Sequence, residues 1–560
     1  MNRKATLARL LGKTDQQVSA HKKPAAVHTI LPNGNSTLTP YTGTWGYEQA
    51  AHLLRRTTFG PNYEKIKEAA ASSLDATISQ LFQELPLPDP PINYSEANDP
   101  YVPIGETWIN APYSPDINLR AHRNRSLRAW TLDLLFTEGI SIREKLTLFW
   151  HNHFSINNIN DPKFLYKYIT TIRSQAWGNF RDLVKAITVD PAMLRFLNGN
   201  QNTNLAPNEN YARELMELFT LGKGELAGPG DYTTFTEEDV MQMARVLTGW
   251  RDLGFNTNNP SVSVSSYFQG SRHDTGSKQL SHRFNNVVIN NMGDKEYLHL
   301  VDVIFQKTEV ARFICRKLYR WFVYYDIDTA AETNVIEPMA QILIDNDYNI
   351  KPALEALLRS EHFFDILNVG PMIKNPIDFL ISAVKQTETA IPTDLRQRYN
   401  TWYQLFRLTP AMQMEYYFPP DVAGWKAYYQ EPSFYRIWIN ASTLPNRMRF
   451  TDTLAGNGYA FSNPRFKINP LAFVAILDDP YDPNSLVREL ATILLPQPLS
   501  EAQLTTLKEV LIPGLPDYEW SVEYGEYTND PSNVQLANAL DAKLRNLLKA
   551  MLSMPEFYLS

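Results

Sequence analysis

The chain has 560 residues, 44% of them hydrophobic and 20% charged, and a formal net charge of −7. That length and apolar content suffice for a substantial core and exclude a wholly disordered chain, while the negative balance offers no general attraction to nucleic acid. A single cysteine, Cys315, excludes an intrachain disulfide and a cysteine-rich zinc module, and its apolar setting beside Ile314 reads as a buried, inert thiol.

Residues 1–40 start basic and turn rich in Pro, Asn, Ser and Thr, which predicts a flexible leader. Arg9 and Lys13 interrupt the apolar run that a secretory signal needs, so no standard export signal is expected and the compartment stays open between cytoplasm and periplasm. No stretch of about 18 apolar residues occurs, so no transmembrane helix is expected.

From Tyr47 to Arg56 apolar residues recur at three- and four-residue steps, predicting an amphipathic helix that Gly60-Pro61 stops. Residues 86–118, with Pro86, Pro88, Pro90 and Pro91, predict a long extended loop rich in proline and aromatics. Helical periodicity then covers Leu119–Thr137, Ile142–His153, Pro162–Ile172, Phe180–Val189, Pro191–Leu197, Asn208–Leu221 and Thr236–Thr248. Between 251 and 300 the pattern changes: Val262 alternates with Val264 before Tyr267-Phe268, and 285–290 reads as a candidate strand, a minor β excursion. Helices resume over Asp294–Phe305, Ala311–Tyr325, Ala330–Asp345, Ile350–Leu358 and Pro376–Lys385, and the 395–560 stretch alternates helices such as Leu536–Leu552 with Pro-rich connections. The expected fold is mainly α, a multi-helix globular protein with a main unit over 41–450 and a C-terminal helical extension, 451–560, packed on it.

Four constellations carry candidate chemistry. Trp150-His151-Asn152-His153-Phe154-Ser155 ends one helix, and two histidines two apart point about 200° from each other on a regular helix, so a shared metal requires the helix to end there. Between Pro207 and Gly222, Glu209, Arg213 and Glu217 fall on one face and Asn210 and Glu214 on an adjacent row, either a solvated ion-pair stripe or a polar site. Arg272-His273-Asp274-Thr275-Gly276 sits in the irregular stretch, where His beside Asp serves as ligand, general base or turn former. In Tyr417-Phe418-Pro419-Pro420-Asp421-Val422-Ala423-Gly424-Trp425, Gly424 allows close approach, and Asp421, Trp425 and the later Trp438 make either a substrate-facing platform or a packed Pro-aromatic loop. Arg316-Lys317 lies in an aromatic core helix, its cations expected to pair with the acidic rows or, alternatively, to form an anion clamp.

Two functional readings follow. In the first, His151, His153, Glu214 and His273 hold a divalent transition metal, Asp274 or Glu209 acts as a base beside it and Arg213 orients an anion, giving a metal-dependent hydrolase or oxidoreductase. A metal-free version uses His153 as base and Arg213 as electrophile. In the second, the same polar groups are a buried hydrogen-bond network that fixes helix packing, and the chain is a non-enzymatic binding or assembly protein working through its loops.

Taken together, Ala51 to Gly60, Arg143-Glu144-Lys145 through Phe154, Asp190-Pro191-Ala192-Met193-Leu194, Pro207 to Gly222, His273 to Gly276 and Pro419 to Trp425 resemble the bacterial family called domain of unknown function 1800, over about residues 47–450. The resemblance implies a large, mainly helical bacterial protein and carries no established activity. It also implies a sulfatase-like partner protein, a common companion of the family, and an export signal, which this N-terminus does not clearly show unless Met1-Asn2-Arg3-Lys4 opens a degenerate or atypical one.

Overall fold

A computed structural model describes residues 36–114 and 116–560. The predicted leader falls, up to residue 35, outside the described residues. From Ser36 onward the chain is tied down: Ser36 Oγ meets His362 Nδ1 at 2.8 Å, and the Tyr41 N–H donates to the Arg359 carbonyl at 2.7 Å.

The protein is mainly α. Helices Tyr47–Thr57, Tyr63–Ala70 and Leu74–Leu81 precede the Pro-rich loop; Leu119–Thr137, Arg143–His153, Pro162–Ser174, Phe180–Thr188 and Pro191–Phe196 follow it. Local chemistry explains several starts. The side chains of Asp161, Asn179 and Asp190 accept backbone N–H bonds from the first turns after them, and Pro162 and Pro191 occupy positions where no N–H is needed.

The Arg143–His153 helix is buried on every side, its charged residues included. Such a helix stands only if its polar groups are matched. Glu144 receives two bonds from Arg173, at 2.6 and 2.9 Å, and Lys145 donates to Asp378 at 2.8 Å. The Pro162–Ser174 helix packs along this spine, and Pro376–Gln386 is tied to it through that Lys145–Asp378 pair.

The Pro-rich stretch is a loop, but turns between residues 96 and 111 and the Ile92–Thr107 bridge fold it back on itself, and it is firmly anchored. Asn93, fully buried, donates to the carbonyls of Asp99 and Val102, and Asp99 pairs with Arg123 at 2.8 Å without solvent exposure. The β excursion is confirmed as small antiparallel pairs. Trp250–Leu253 pairs with Ser265–Phe268, leaving 254–264 as a loop, and Lys278–Gln279 pairs with Val288–Ile289.

The second half adds Glu296–Ile304, Glu309–Phe322, Glu337–Asp345, Ile350–Leu358, Pro376–Gln386 and Leu395–Phe406, then short 3-10 turns, then Thr443–Ala455, Pro470–Val474, Pro483–Leu494, Glu501–Leu511, Asp517–Asn529 and Val534–Leu552. One apolar core joins Leu53, Trp150, Leu318, Leu380, Leu454 and Leu548. The last residues return to the body, where the Lys374 N–H donates to the Tyr558 carbonyl at 2.8 Å. Among the described residues, no helix is long and apolar enough to cross a membrane.

Candidate functional site

Three of the four constellations meet around the end of the Arg143–His153 helix. The loop from Tyr417 to Trp425 is gripped by three residues of the first motif and by Asn157 just after it. His151 Nε2 accepts the Tyr417 N–H at 3.0 Å, Asn152 Oδ1 accepts the Trp425 N–H at 2.9 Å, Ser155 Oγ donates to the Asp421 carbonyl at 2.8 Å, and Asn157 donates to the Pro419 carbonyl at 2.8 Å. Gly424 makes this possible. Its φ is +94°, and a Cβ there would lie 2.4 Å from Asn152 Oδ1 and 2.5 Å from the Asn152 carbonyl, a space only glycine leaves open.

On the opposite side His153 Nε2 donates to the Phe219 carbonyl at 3.0 Å, while Lys317 Nζ, at 3.2 Å, donates to His153 Nδ1 and also to the Leu218 carbonyl at 3.0 Å. These carbonyls end the Pro207–Gly222 motif. That segment departs from the regular helix expected of it: after Glu209–Glu214 it widens into a π turn over Leu215–Thr220. The extra residue in the turn buries Met216 and Phe219 and leaves Leu218 only half-buried. His153 and Lys317 satisfy carbonyls that the irregular turn frees.

Protonation follows from the partners. His151 accepts a backbone N–H on Nε2, which demands the neutral ring, and burial pushes its pKa down to about 3. His153 donates from one nitrogen and accepts on the other, again the neutral ring; burial, reinforced by the Lys317 charge, drives it well below the ordinary value. Burial likewise lowers Lys317 to about 7.

His273 belongs to a separate cluster. Its Nδ1 faces the Thr248 carbonyl at 3.0 Å and its Nε2 faces Glu296 Oε2 at 3.0 Å, two acceptors that call for an imidazolium. Burial works against that charge, but the bonds to Glu296 and Thr248 outweigh it and raise the pKa. Lys278, fully buried, completes the cluster at 2.5 Å from Glu296 Oε1. The neighbouring Asp274 is held by Arg245 at 2.7 and 3.2 Å, which lowers its carboxyl.

The remaining candidates sit as follows. Arg213 forks onto Glu237 at 2.7 and 2.9 Å and reaches Glu209 at 3.2 Å, so its guanidinium is engaged within the protein. Glu214 is half-buried, and burial with the charges of Glu217 and Asp421 pushes its carboxyl up to about 7. Asp421 is exposed and close enough to Glu214 for that effect. Trp425 and Trp438 are 1% and 2% exposed: Trp425 packs edge-on to His151 and Trp438 against Tyr428, so neither presents a wall to solvent.

The metal grouping drawn from His151, His153, Glu214 and His273 does not fit this placement. The ring nitrogens of all three histidines have protein partners, and among the described residues no three His, Cys, Asp or Glu side chains come together as metal ligands. Cys315 is fully buried, with its thiol raised by burial.

Residues 52–559 match the family model described as "Protein of unknown function (DUF1800)". The chain belongs to that family. The DUF1800 match takes in the C-terminal helices beyond the motifs that carry the resemblance, which end near residue 450. No curated protein and no solved structure matches the chain.

Sequence reasoning missed Lys317 as a partner of His153, and Glu296 and Lys278 as partners of His273. Arg316 pairs with Glu332, outside the acidic rows of the Pro207–Gly222 motif, and Lys317 turns inward to His153. Glu296 in a first helical turn carries no signal beyond ordinary helix polarity.

A groove is the other feature that composition alone does not show. About 380 Å³ in volume, it runs between the Pro-rich loop, the Pro162–Ser174 helix and the 254–264 loop. Leu87, Ile109 and Val264 give it apolar walls, and Tyr166, Lys167 and Thr170 line its helical side.

Proposed function

We propose that this DUF1800 protein is a binding or assembly protein, with the histidine motifs as its internal frame and the groove beside the Pro162–Ser174 helix as its working surface. The engagement of the ring nitrogens of His151, His153 and His273 by protein groups carries the reading, because a metal or a substrate would have to displace those bonds. The groove supplies what a partner segment needs: apolar walls, hydroxyl groups, and an exposed Lys167 to meet a carboxylate. The partner best suited is an extended, acidic segment of a protein, and the resemblance directs the search to a sulfatase-like one.

The test places a photo-reactive residue at Thr170 in the full chain, co-expressed with a sulfatase-like protein from the same genome. A covalent adduct from position 170, with none from the exposed Thr505, is expected. No adduct, or equal adducts from both positions, overturns the groove assignment. Stoichiometric Zn, Fe, Mn or Cu in protein purified without added metal, lost when His153→Ala and His273→Ala are combined, would overturn the binding reading itself.

A second, enzymatic reading draws on Glu214. A half-buried carboxyl lifted to about 7 beside Glu217 and Asp421 is tuned for proton transfer near neutral pH. Here Glu214 moves the proton. Arg213 would have to leave Glu237 to orient an anionic group.

A further inference from the structure

Behind the frame, a second group of ionisable side chains has no counterpart in either functional reading. Arg55 and Arg56 from the Tyr47–Thr57 helix, Lys145 from the central helix and Lys374 from the preceding loop of Pro376–Gln386 line one cavity of about 30 Å³, and all four are 5% exposed or less. Arg447, fully buried, stands behind them, donating to the Lys374 carbonyl at 2.9 Å. Asp378 is the acidic side chain on the cavity wall, and Lys145 already holds it at 2.8 Å.

The donors are left over in a consistent way. Arg56 spends one amino group on the Asn368 carbonyl at 2.8 Å, and its Nε and Nη1 have no partner. Arg55 gives one amino group to the carbonyls of Thr492 and Ile493 and leaves Nε bare; Arg447 leaves Nε and Nη1 bare. Ser560 borders the same cavity, yet supplies no acceptor to these atoms. Buried guanidinium N–H groups are rarely left unpaired, and clustered buried cations repel one another unless an anion joins them. The repulsion is visible at Lys374, where burial, together with the charges of Arg55, Lys145 and Arg447, brings the amine down to about 7 despite Asp378.

We infer that this cavity binds one small tetrahedral oxyanion, inorganic phosphate or sulfate, held by the vacant N–H groups of Arg56 and Arg55. Size sets the class. About 30 Å³ admits a few waters or one such ion and is too small for a nucleotide or a sugar. Guanidinium is also the side chain best matched to oxyanion oxygens. The ion would tie the Tyr47–Thr57 helix to Lys145 of the central helix and to the loop that carries Lys374, so it acts as a structural anion and not as a substrate.

The test uses the full chain, unfolded and refolded in chloride to strip any resident ion. Ion chromatography of anions released by acid from protein purified natively is expected to show close to one phosphate or sulfate per chain. Titration of the stripped protein with phosphate, and separately with sulfate, should raise its melting temperature above a chloride control of equal ionic strength. Glycerol phosphate, larger than the cavity, forms a third arm: no stabilisation by it is expected, and stabilisation equal to that by free phosphate would overturn the assignment to the free ion. Arg56→Gln should weaken phosphate binding at least tenfold. If that variant does not fold, Arg56→Lys, which keeps the charge but not the two vacant donors, takes its place. No released oxyanion together with no oxyanion-specific shift would overturn the assignment, as would undiminished binding in the Arg56 variant.

Discussion

Replacing Gly424 by alanine tests whether the two motifs are one structural joint. The added Cβ would stand 2.4 Å from Asn152 Oδ1 and 2.5 Å from the Asn152 carbonyl, so the loop or the end of the central helix must move. A side chain at φ +94° costs about 1–3 kcal/mol by itself. Moving Asn152 away strands the buried Trp425 N–H, now bonded at 2.9 Å, for about another 1–3 kcal/mol. A total loss of about 2–6 kcal/mol is therefore expected in urea unfolding followed by tryptophan fluorescence. Amide exchange should quicken in both 151–157 and 417–425, and the Asn152→Ala, Gly424→Ala double variant should lose less than the sum of the singles, since they share one contact. A loss below about 1 kcal/mol with unchanged exchange would refute the close-packed joint.

Two further predictions concern buried charge. His151 is neutral in the folded chain, with a pKa near 3 against an ordinary 6.5. A depressed folded value means that stability is present above the unfolded pKa and lost as pH falls from about 6.5 toward 3, at about 1.4 kcal/mol per pH unit for this residue. In His151→Gln, urea midpoints measured between about pH 6 and 4 should fall less steeply by that amount; an unchanged slope would contradict a neutral, buried ring. At the second cluster, Glu296→Gln leaves Lys278 and His273 buried without their carboxylate, at a cost of about 3–5 kcal/mol. The NMR titration of His273 should then move from above to below the ordinary histidine range, and a titration that stays high would place its charge partner elsewhere.

Much of the fold was legible because helix signals are local. Asp161-Pro162, Asn179 and Asp190-Pro191 announce helix starts through capping that needs no tertiary contact, and each stands where the sequence predicts. The loop between Pro86 and Asn118 and the hairpin around Tyr267 were equally readable from proline and alternation. The π turn at Leu215–Thr220 was not. Its residues keep helical periodicity, and what opens the turn is the set of partners, His153 and Lys317, that receive its carbonyls.

The candidate site divides along the same line. From residue types and spacing alone, the chain is mainly helical, carries several polar motifs between residues 150 and 274, and places a glycine where a backbone must come close. Those conclusions rest on interactions within a few residues of one another. Tertiary structure alone decided what those polar motifs bond to. His151 and His153 look like a ligand pair in sequence because imidazole is a metal ligand whenever a nitrogen is left available, and availability depends on groups 66 to 266 residues away. The same holds for Arg55 and Arg56, at the end of an amphipathic helix. Only folding shows them buried beside Lys145 and Lys374, with N–H groups left without a protein partner.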